Sequence, residues 1–221
     1  MKLLLLHPPL LSAAVWRRLS PRLTAAGHSV TAPDLRPAQA EGWWRLARDA
    51  AIAAAPDSDG VLAHSGAGVL APVVLDSLPA AQAVVLIDAL LPAVGGSTAV
   101  TPPMRDAVRE LAVAGVLPQW TSWWDEATLT ELVPDPDDRA ALIAQAPRLP
   151  EALYDVPVPV PIGWEPAVRG YLQLSPAYGD VAARAQQEGW QTMSLLGRHL
   201  DLLSDPARVA EAVLALLAGT D

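Results

Sequence analysis

Val61-Leu62-Ala63-His64-Ser65-Gly66-Ala67-Gly68-Val69-Leu70 holds the most informative pattern in the sequence. Its first residues form a short apolar run that is typical of a buried strand, and the residues from Ala67 to Leu78 favour a helix. A serine between small residues at such a strand-to-helix corner has the pattern of a nucleophile elbow. The strict motif has glycine two positions before and two positions after the serine. Here those positions hold Ala63 and Ala67, so the motif is a relaxed version.

The composition limits the class of protein. The chain has 221 residues, of which 52% are hydrophobic, and this is enough to bury a sizeable core. Its formal net charge of -9 argues against a general affinity for nucleic acid or for an anionic membrane. The absence of cysteine excludes disulfides and Cys-ligated zinc. The four histidines lack the spacing of a metal site, and Gly66-x-Gly68 lacks the rest of a nucleotide fingerprint, so we expect neither a metal nor a cofactor.

The hydropathy pattern addresses the location of the protein. No apolar run reaches the roughly 18 residues that a membrane span needs. The apolar run that follows Lys2 is too short for the hydrophobic region of a signal peptide, and it leads directly into His7-Pro8-Pro9. We therefore expect a cytoplasmic protein with no membrane or nucleic-acid partner.

Short apolar runs alternate with helical patterns over the first 92 residues and again after residue 167. Strands are predicted at residues 3–7, 28–32, 61–63, 83–87, 170–174 and 191–196. Helices are predicted at residues 13–26, 43–55, 67–78, 179–188 and 205–218. Continuous apolar strands that alternate with helices indicate an α/β fold with a mostly parallel sheet flanked by helices.

Residues 93–166 interrupt this alternation. They begin with a Gly95-Gly96 loop, and they contain predicted helices at 101–116 and 135–146 and the proline-alternating run Val156–Pro161. That run cannot pair as a central strand, because proline has no N–H to donate. We expect residues 93–166 to form a helical cap over the carboxyl edge of the sheet, where open parallel sheets bind their ligands. Residues 1–92 and 167–221 would then form the core.

Taken together, these features resemble the α/β-hydrolase fold over nearly the whole chain. The matching parts are the strand ending in His7, the elbow at Ser65, the segment Val85–Pro92, and Gly197-Arg198-His199-Leu200 before Asp205-Pro206. The likeness is greatest to small esterase-like and hydroxynitrile-lyase-like members. Because the two strands that open the full fold have no counterpart here, the resemblance implies about six parallel strands.

The resemblance implies catalytic roles for a serine and a histidine. Ser65 is the expected nucleophile, and a serine hydroxyl needs a base to activate it. His199 is the expected base, since it follows the last predicted strand, and the order serine, acid, histidine matches that of the fold. The alternative interpretations are a turn residue for Ser65 and a surface residue for His199.

The acid has three candidates. The fold usually carries it just after the strand at 170–174, but no carboxylate follows there before Asp180. Asp88 directly follows the strand at 83–87, a position that some members of the fold use. A carboxylate at the end of a buried strand needs a partner, and an imidazolium would supply one. We therefore prefer Asp88 to Asp180, with Asp201 third; the alternative for Asp88 is a helix N-cap.

The oxyanion hole is the weakest part of the match. One donor is expected to be the backbone N–H of Gly66, at a helix N-terminus. The family pattern for the second donor is His-Gly-X, whereas this chain has His7-Pro8-Pro9. Pro9 stands at the donor position and has no N–H, so Leu10 would have to replace it through a shift of the loop. A single donor would make a poor acyl-transfer catalyst.

The function that these residues predict is hydrolysis of a small apolar ester or related carbonyl compound by a serine hydrolase. His64 is expected to pack or to tune the site. Trp120, Trp123 and Trp124 either line an apolar pocket or pack in the core of the cap. Two alternatives remain open at this point. One is a lyase or cyclase that uses Ser65 and His199 for acid–base chemistry, and the other is a non-catalytic ligand-binding protein.

Overall fold

The structure is a computed structural model that describes residues 1–37 and 39–219. Residue 38 and the last two residues of the predicted core segment 167–221 lie outside this description. Ten strands occur among the described residues: β1 (Lys2–Leu6), β2 (Ser29–Thr31), β3 (Gly60–His64), β4 (Ala83–Ile87), β5 (Gly96–Thr98), β6 (Val116–Leu117), β7 (Leu149–Pro150), β8 (Val158–Val160), β9 (Val168–Gln173) and β10 (Gln191–Ser194).

Nine α-helices accompany these strands within the described residues. They are α1 (Leu19–Ala25), α2 (Trp43–Ala54), α3 (Ala71–Leu75), α4 (Pro102–Leu111), α5 (Glu126–Leu132), α6 (Pro136–Gln145), α7 (Gly179–Gln187), α8 (Asp201–Ser204) and α9 (Pro206–Ala218). None of the helices in the described part of the chain has both the length and the hydropathy of a membrane span.

Six strands form one parallel sheet in the order β10-β9-β4-β3-β1-β2. Every residue of β3 and β4 is buried, which explains why both strands are apolar runs, apart from His64 at the end of β3. Along β1 the side chains alternate between two cores. Leu4 and Leu6 pack on the side of α2 and α3, and Leu3 and Leu5 pack on the side of α1 and α9. The predicted six-stranded parallel sheet flanked by helices is confirmed.

Two predicted helices are divided in the structure. Residues 13–26 form a 3-10 helix, Ala13–Trp16, followed by α1, and the residues after the elbow form a 3-10 helix, Ser65–Leu70, followed by α3. Each α-helix carries a proline in its first turn, Pro21 in α1 and Pro72 in α3. Proline is tolerated in a first turn but not inside a helix, so neither helix can extend backwards as a continuous α-helix.

The segment between β4 and β9 contains more strand than predicted. Residues expected in a loop at Gly96 form β5, which pairs antiparallel with β8, so that Pro159 lies opposite Ser97. Proline is acceptable there because this ribbon has only two strands. The helix predicted over 101–116 ends earlier, at Leu111, and Val116 instead begins β6, which pairs with β7.

Two arginines of the core bind this segment. The guanidinium groups of Arg17 and Arg18 lie 3.0 and 2.9 Å from the carboxylate oxygens of Asp138 on α6. Asp138 is buried, so the two arginines supply the partners that a buried carboxylate requires. Within the segment, Arg105 on α4 pairs with Glu151 and Asp155. These ion pairs connect the segment to the core and α4 to the chain before β8.

Gly68 marks the closest approach between the elbow and the loop after β4. A Cβ atom on Gly68 would overlap the carbonyl oxygen of Leu90 and would lie 3.2 Å from the Cβ of Ala89. The N–H of Leu90 also donates to the carbonyl oxygen of Ser65 over 3.0 Å. Only glycine lets the backbone of these two loops come this close together.

We predict that Gly68→Ala destabilises the protein, because its methyl group must displace backbone. Overpacking of this kind costs about 1–3 kcal/mol, or roughly 2–12 °C in Tm for a chain of this size. Thermal unfolding followed by circular dichroism measures the effect. Gly95→Ala is the matched control and should leave Tm within about 2 °C, since Gly95 is exposed and a Cβ there meets no atom within 4 Å. Equal Tm values for the two variants would contradict the prediction.

Candidate active site

Ser65 is the first residue after β3 and has a φ of +56°, in the left-handed region. A non-glycine residue rarely adopts this conformation, which costs of the order of 1–3 kcal/mol and is characteristic of functional turns. The flanking Ala63 and Ala67 are both fully buried, so larger side chains would not fit. The elbow therefore forms with alanine at the two positions where the strict motif has glycine.

Ser65, His199 and Asp88 are connected by two hydrogen bonds. The Oγ of Ser65 lies 3.0 Å from Nε2 of His199. On the other side of the ring, Nδ1 of His199 lies 2.7 Å from Oδ2 of Asp88. A carboxylate can only accept, so Nδ1 carries the proton and Nε2 presents its lone pair to the serine hydroxyl. This arrangement can remove a proton from Ser65.

Asp88 is fully buried just after β4 and also has a positive φ, +43°. Besides His199, three donors reach its carboxylate: the N–H groups of Leu174 and Ser175, at 2.8 and 3.0 Å, and the hydroxyl of Ser175, at 2.6 Å. Burial alone would raise the pKa of Asp88, but the hydrogen bonds from His199 and Ser175 outweigh it and hold that pKa below its ordinary value. Asp88 is therefore ionised and faces the imidazole.

The other two candidate acids lie elsewhere. Asp180 is exposed in the first turn of α7, and Asp201 accepts the N–H of Arg198 and the hydroxyl of Ser204 at the start of α8. Neither forms a hydrogen bond with His199. Ser175 occupies the place after β9 where the fold usually carries its acid, and it donates to Asp88 instead.

His64 supports the backbone that carries His199. Its Nε2 lies 3.0 Å from the carbonyl oxygen of His199, so Nε2 is the protonated nitrogen and donates this bond. The two rings lie 4.6 Å apart. Burial, together with the proximity of His199, lowers the pKa of His64 from 6.5 to about 3, so its ring is neutral. His64 therefore packs against the ring of His199 and donates to its backbone.

The loop after β1 is pinned by another buried histidine. Nε2 of His7 accepts the N–H of Leu35 over 2.7 Å, and its Nδ1–H donates to the carbonyl oxygen of Pro8 over 3.0 Å. The same carbonyl accepts the N–H of Leu11, which closes a tight turn. The turn places Pro9 against the elbow, since a Cβ on Gly66 would lie 3.4 Å from Cδ of Pro9. The residue beside Gly66 therefore has no N–H to offer.

Tyr178 is a site residue that the sequence did not indicate. It ends the 3-10 helix Pro176–Tyr178 after β9, and its hydroxyl oxygen lies 3.4 Å from the Oγ of Ser65. Its ring stacks on that of His199, with the centroids 5.2 Å apart and the planes 2° from parallel. The available signal was its position, close to where the fold usually carries its acid.

A cavity of about 640 Å³ opens onto Ser65, Gly66 and His199. Apolar side chains from both the core and the 93–166 segment dominate its lining, among them Leu10, Val69, Met104, Leu153 and Val156. Asp180 and Arg184 are charged residues on its wall. Arg184 is bound by Glu188 and by the carbonyl of Pro92. No group of three His, Asp or Glu side chains in residues 1–37 and 39–219 is arranged to hold a metal ion.

The tryptophans divide between the cavity and the core. Trp120 lines the cavity, as one of the two interpretations expected. Trp123 and Trp124 are not among the residues of its wall. The indole N–H of Trp123 donates to the carbonyl of Pro118 over 3.2 Å, and its ring packs against the core. Trp124 is 41% exposed and meets the edge of Trp120 from outside.

The neutral state of His64 predicts a pH-dependent stability. Between pH 6.5 and 3 the unfolded chain binds one more proton at this residue than the folded chain, so stability falls as the pH falls through this range. His64→Gln keeps an N–H donor for His199 and removes the titration. From pH 6.5 to 5, above most carboxyl pKa values, the free energy of unfolding of the wild type should fall more steeply than that of the variant. The difference should approach about 1.4 kcal/mol per pH unit in urea titrations.

Equal slopes for the wild type and His64→Gln would contradict the assignment of a neutral His64. His28→Gln is the control, because it removes a different histidine, one that precedes the edge strand β2. Its slope should stay closer to that of the wild type, because His28 is only partly buried in the structure.

Comparison with known proteins places this geometry in context. No protein-family model matches the sequence, and no curated protein sequence matches it. Solved structures do match over the whole chain. One is an extracellular α/β-hydrolase from a Paenibacillus species, described as sharing structural and functional homology with tobacco salicylic acid binding protein 2. It is 20% identical, with a TM-score of 0.76 and 100% of both chains covered.

Two further structures are similar. A pyrethroid hydrolase from Sphingobium faniae is 19% identical, with a TM-score of 0.70 over 99% of this chain and 98% of its own. Tomato methylketone synthase I, solved with 2-tridecanone, is 14% identical, with a TM-score of 0.72 over 99% and 98%. At these identities the likeness concerns the fold, and it agrees with the sheet order and the elbow. The chain therefore has the α/β-hydrolase fold.

Proposed function

We propose that this chain is a serine hydrolase that cleaves a small, largely apolar ester or related carbonyl compound. The observation that carries the proposal is the hydrogen-bonded series Asp88–His199–Ser65, with bonds of 2.7 and 3.0 Å, at the wall of an apolar cavity. A surface histidine and an ordinary turn serine would not need a buried carboxylate behind them. The series therefore supports an activated nucleophile.

The geometry accounts for each proton in the reaction. As the Oγ of Ser65 bonds to the substrate carbonyl carbon, its proton moves to Nε2 of His199 and the carbonyl electrons move onto the oxygen. Asp88 keeps the imidazole in the correct tautomer and stabilises the imidazolium. The tetrahedral intermediate then expels the alcohol, which takes the proton from His199. A water molecule repeats the two steps and releases the acid. The N–H of Gly66 is the backbone donor to the oxyanion.

The cavity supports an apolar substrate. A volume of about 640 Å³ lies within the usual range of small-molecule sites, and its walls are mostly hydrocarbon. Among the structural neighbours, one is named a pyrethroid hydrolase and another was solved with 2-tridecanone, an apolar ketone. By analogy, we place a compound of similar polarity in this cavity.

In this proposal residues 93–166 act as a cap, and residues 1–92 and 167–221 act as the catalytic core. The segment contributes Trp120, Leu153 and Val156 to the cavity wall. The ion pairs of Arg17 and Arg18 with Asp138 hold it to the core. The cap would exclude water from the apolar part of the substrate.

A lyase or cyclase on the same scaffold is the second candidate, because Pro9 removes the backbone donor that acyl transfer uses. Such an enzyme would use Ser65 and His199 to move protons without forming an acyl-enzyme. A ligand-binding role explains the cavity but gives no reason for the hydrogen-bonded series.

Labelling with a fluorophosphonate separates these candidates. We expect one equivalent of label on Ser65 of the wild type, no label on Ser65→Ala, and labelling at least about 10³-fold slower for His199→Ala. Ser77→Ala is the matched control, since Ser77 only donates to the carbonyl of Val73 on α3, and it should be labelled normally. Mass spectrometry identifies the modified residue.

Hydrolysis of p-nitrophenyl butyrate should disappear in the same two variants. Absence of label from a folded wild-type protein would exclude an activated serine and favour the lyase or cyclase. Unchanged activity in Ser65→Ala and His199→Ala would favour a binding protein.

A further inference from the structure

The proposed hydrolase has an incomplete set of backbone donors. Gly66 offers an N–H, but the residue packed beside it is Pro9, which has none. The two hydrogen bonds of His7 and the turn from Pro8 to Leu11 hold this loop in place. A shift by one residue, which would bring Leu10 to the elbow, would break them. With Pro9 beside Gly66, a side chain from another part of the site can supply the second donor.

Tyr178 brings a hydroxyl close to the nucleophile. Its oxygen is 3.4 Å from the Oγ of Ser65, and its side chain lines the cavity in which the substrate would lie. Stacking on His199 holds the ring parallel to the imidazole, so the hydroxyl has little freedom to leave. The 3-10 helix that carries Tyr178 follows Ser175, which donates to Asp88, so the same short segment supports the acid and places the phenol.

The direction of the contact follows from counting protons. Ser65 has one hydroxyl proton, and it points to Nε2 of His199, which has a free lone pair. The Oγ of Ser65 can therefore only accept from Tyr178, and the phenol proton faces the nucleophile. Burial raises the pKa of Tyr178, so the phenol remains a donor at neutral pH.

We propose that Tyr178 is a catalytic residue whose hydroxyl donates the second hydrogen bond to the substrate oxyanion, in place of the N–H that Pro9 lacks. This inference rests on the proposed hydrolase function. When Oγ bonds to the carbonyl carbon, the carbonyl oxygen becomes the oxyanion and lies on the same carbon as Oγ, within reach of the phenol. The phenol proton turns from Oγ to that oxygen. Tyr178 keeps its proton throughout, and His199 carries the proton that moves.

The inference predicts a loss confined to the transition state. Tyr178→Phe keeps the ring and its stacking on His199 and removes only the hydroxyl. Loss of one oxyanion donor lowers kcat by about 10²-fold or more in other enzymes, with little effect on ground-state binding. We therefore expect kcat for p-nitrophenyl butyrate to fall about 10²-fold while KM changes less than about 3-fold.

A second readout isolates the oxyanion. An aryl trifluoromethyl ketone forms a tetrahedral adduct with an activated serine and places a charged oxygen in the hole. Its inhibition constant should rise in Tyr178→Phe by a factor similar to the loss in kcat. Tyr171→Phe is the matched control, because the hydroxyl of Tyr171 donates to the carbonyl of Ala89 beneath the site. It should lower Tm while kcat per labelled Ser65 stays within about 3-fold.

The outcomes separate this inference from the proposed function. If fluorophosphonate labels Ser65 of the wild type but Tyr178→Phe keeps both its kcat and its affinity for the ketone, the role of Tyr178 is overturned and the hydrolase stands. If Tyr178→Phe behaves as the wild type while Tyr178→Ala loses activity, the ring acts only by packing, which also overturns it. If Ser65 is never labelled in folded wild-type protein, the hydrolase itself fails.

Discussion

A carboxylate buried at the end of a central strand must find hydrogen-bond donors, and this requirement organises the site. Asp88 accepts from Leu174, from Ser175 twice, and from His199. These donors come from the segment after β9 and from the loop before α8. The same carboxylate therefore fixes three neighbouring strand ends of the sheet and the position of the imidazole that faces Ser65. Stability and the proposed chemistry depend on one buried charge.

Two neutral histidines extend this arrangement. His64 donates to the carbonyl of His199 and His7 to that of Pro8, each through a ring whose pKa is lowered by burial. The bond from His64 fixes the proposed base, and the bond from His7 fixes the loop that brings Pro9 to Gly66. The loop that carries Pro9 is therefore held in place by a buried histidine, as is the backbone of His199. This restraint is the reason to look for a side-chain donor at Tyr178.

The features that sequence predicted well are local. Apolar runs predicted the six-stranded sheet, and the order of motifs along the chain drew attention to Ser65, Asp88 and His199, which the structure brings together. Pro21 and Pro72 could have indicated that the predicted helices 13–26 and 67–78 are each divided, but the apolar pattern alone predicted them as continuous. The sequence did not indicate the place of side chains that belong to no recognised motif. Tyr178 lies 113 positions from Ser65 and follows no motif, and Trp123 packs against the core with its indole N–H on the carbonyl of Pro118.

The most direct test of this account is the esterase activity of Asp88→Asn measured per folded molecule. The asparagine amide would present N–H to Nδ1 of His199, force the proton onto Nε2 and leave Ser65 without a base, so kcat should fall about 10⁴-fold. Asp201→Asn, two residues along the chain from the same histidine, should stay within a few-fold of the wild type. A folded Asp88→Asn that keeps its activity, with the loss appearing instead in Asp180→Asn, would contradict the account.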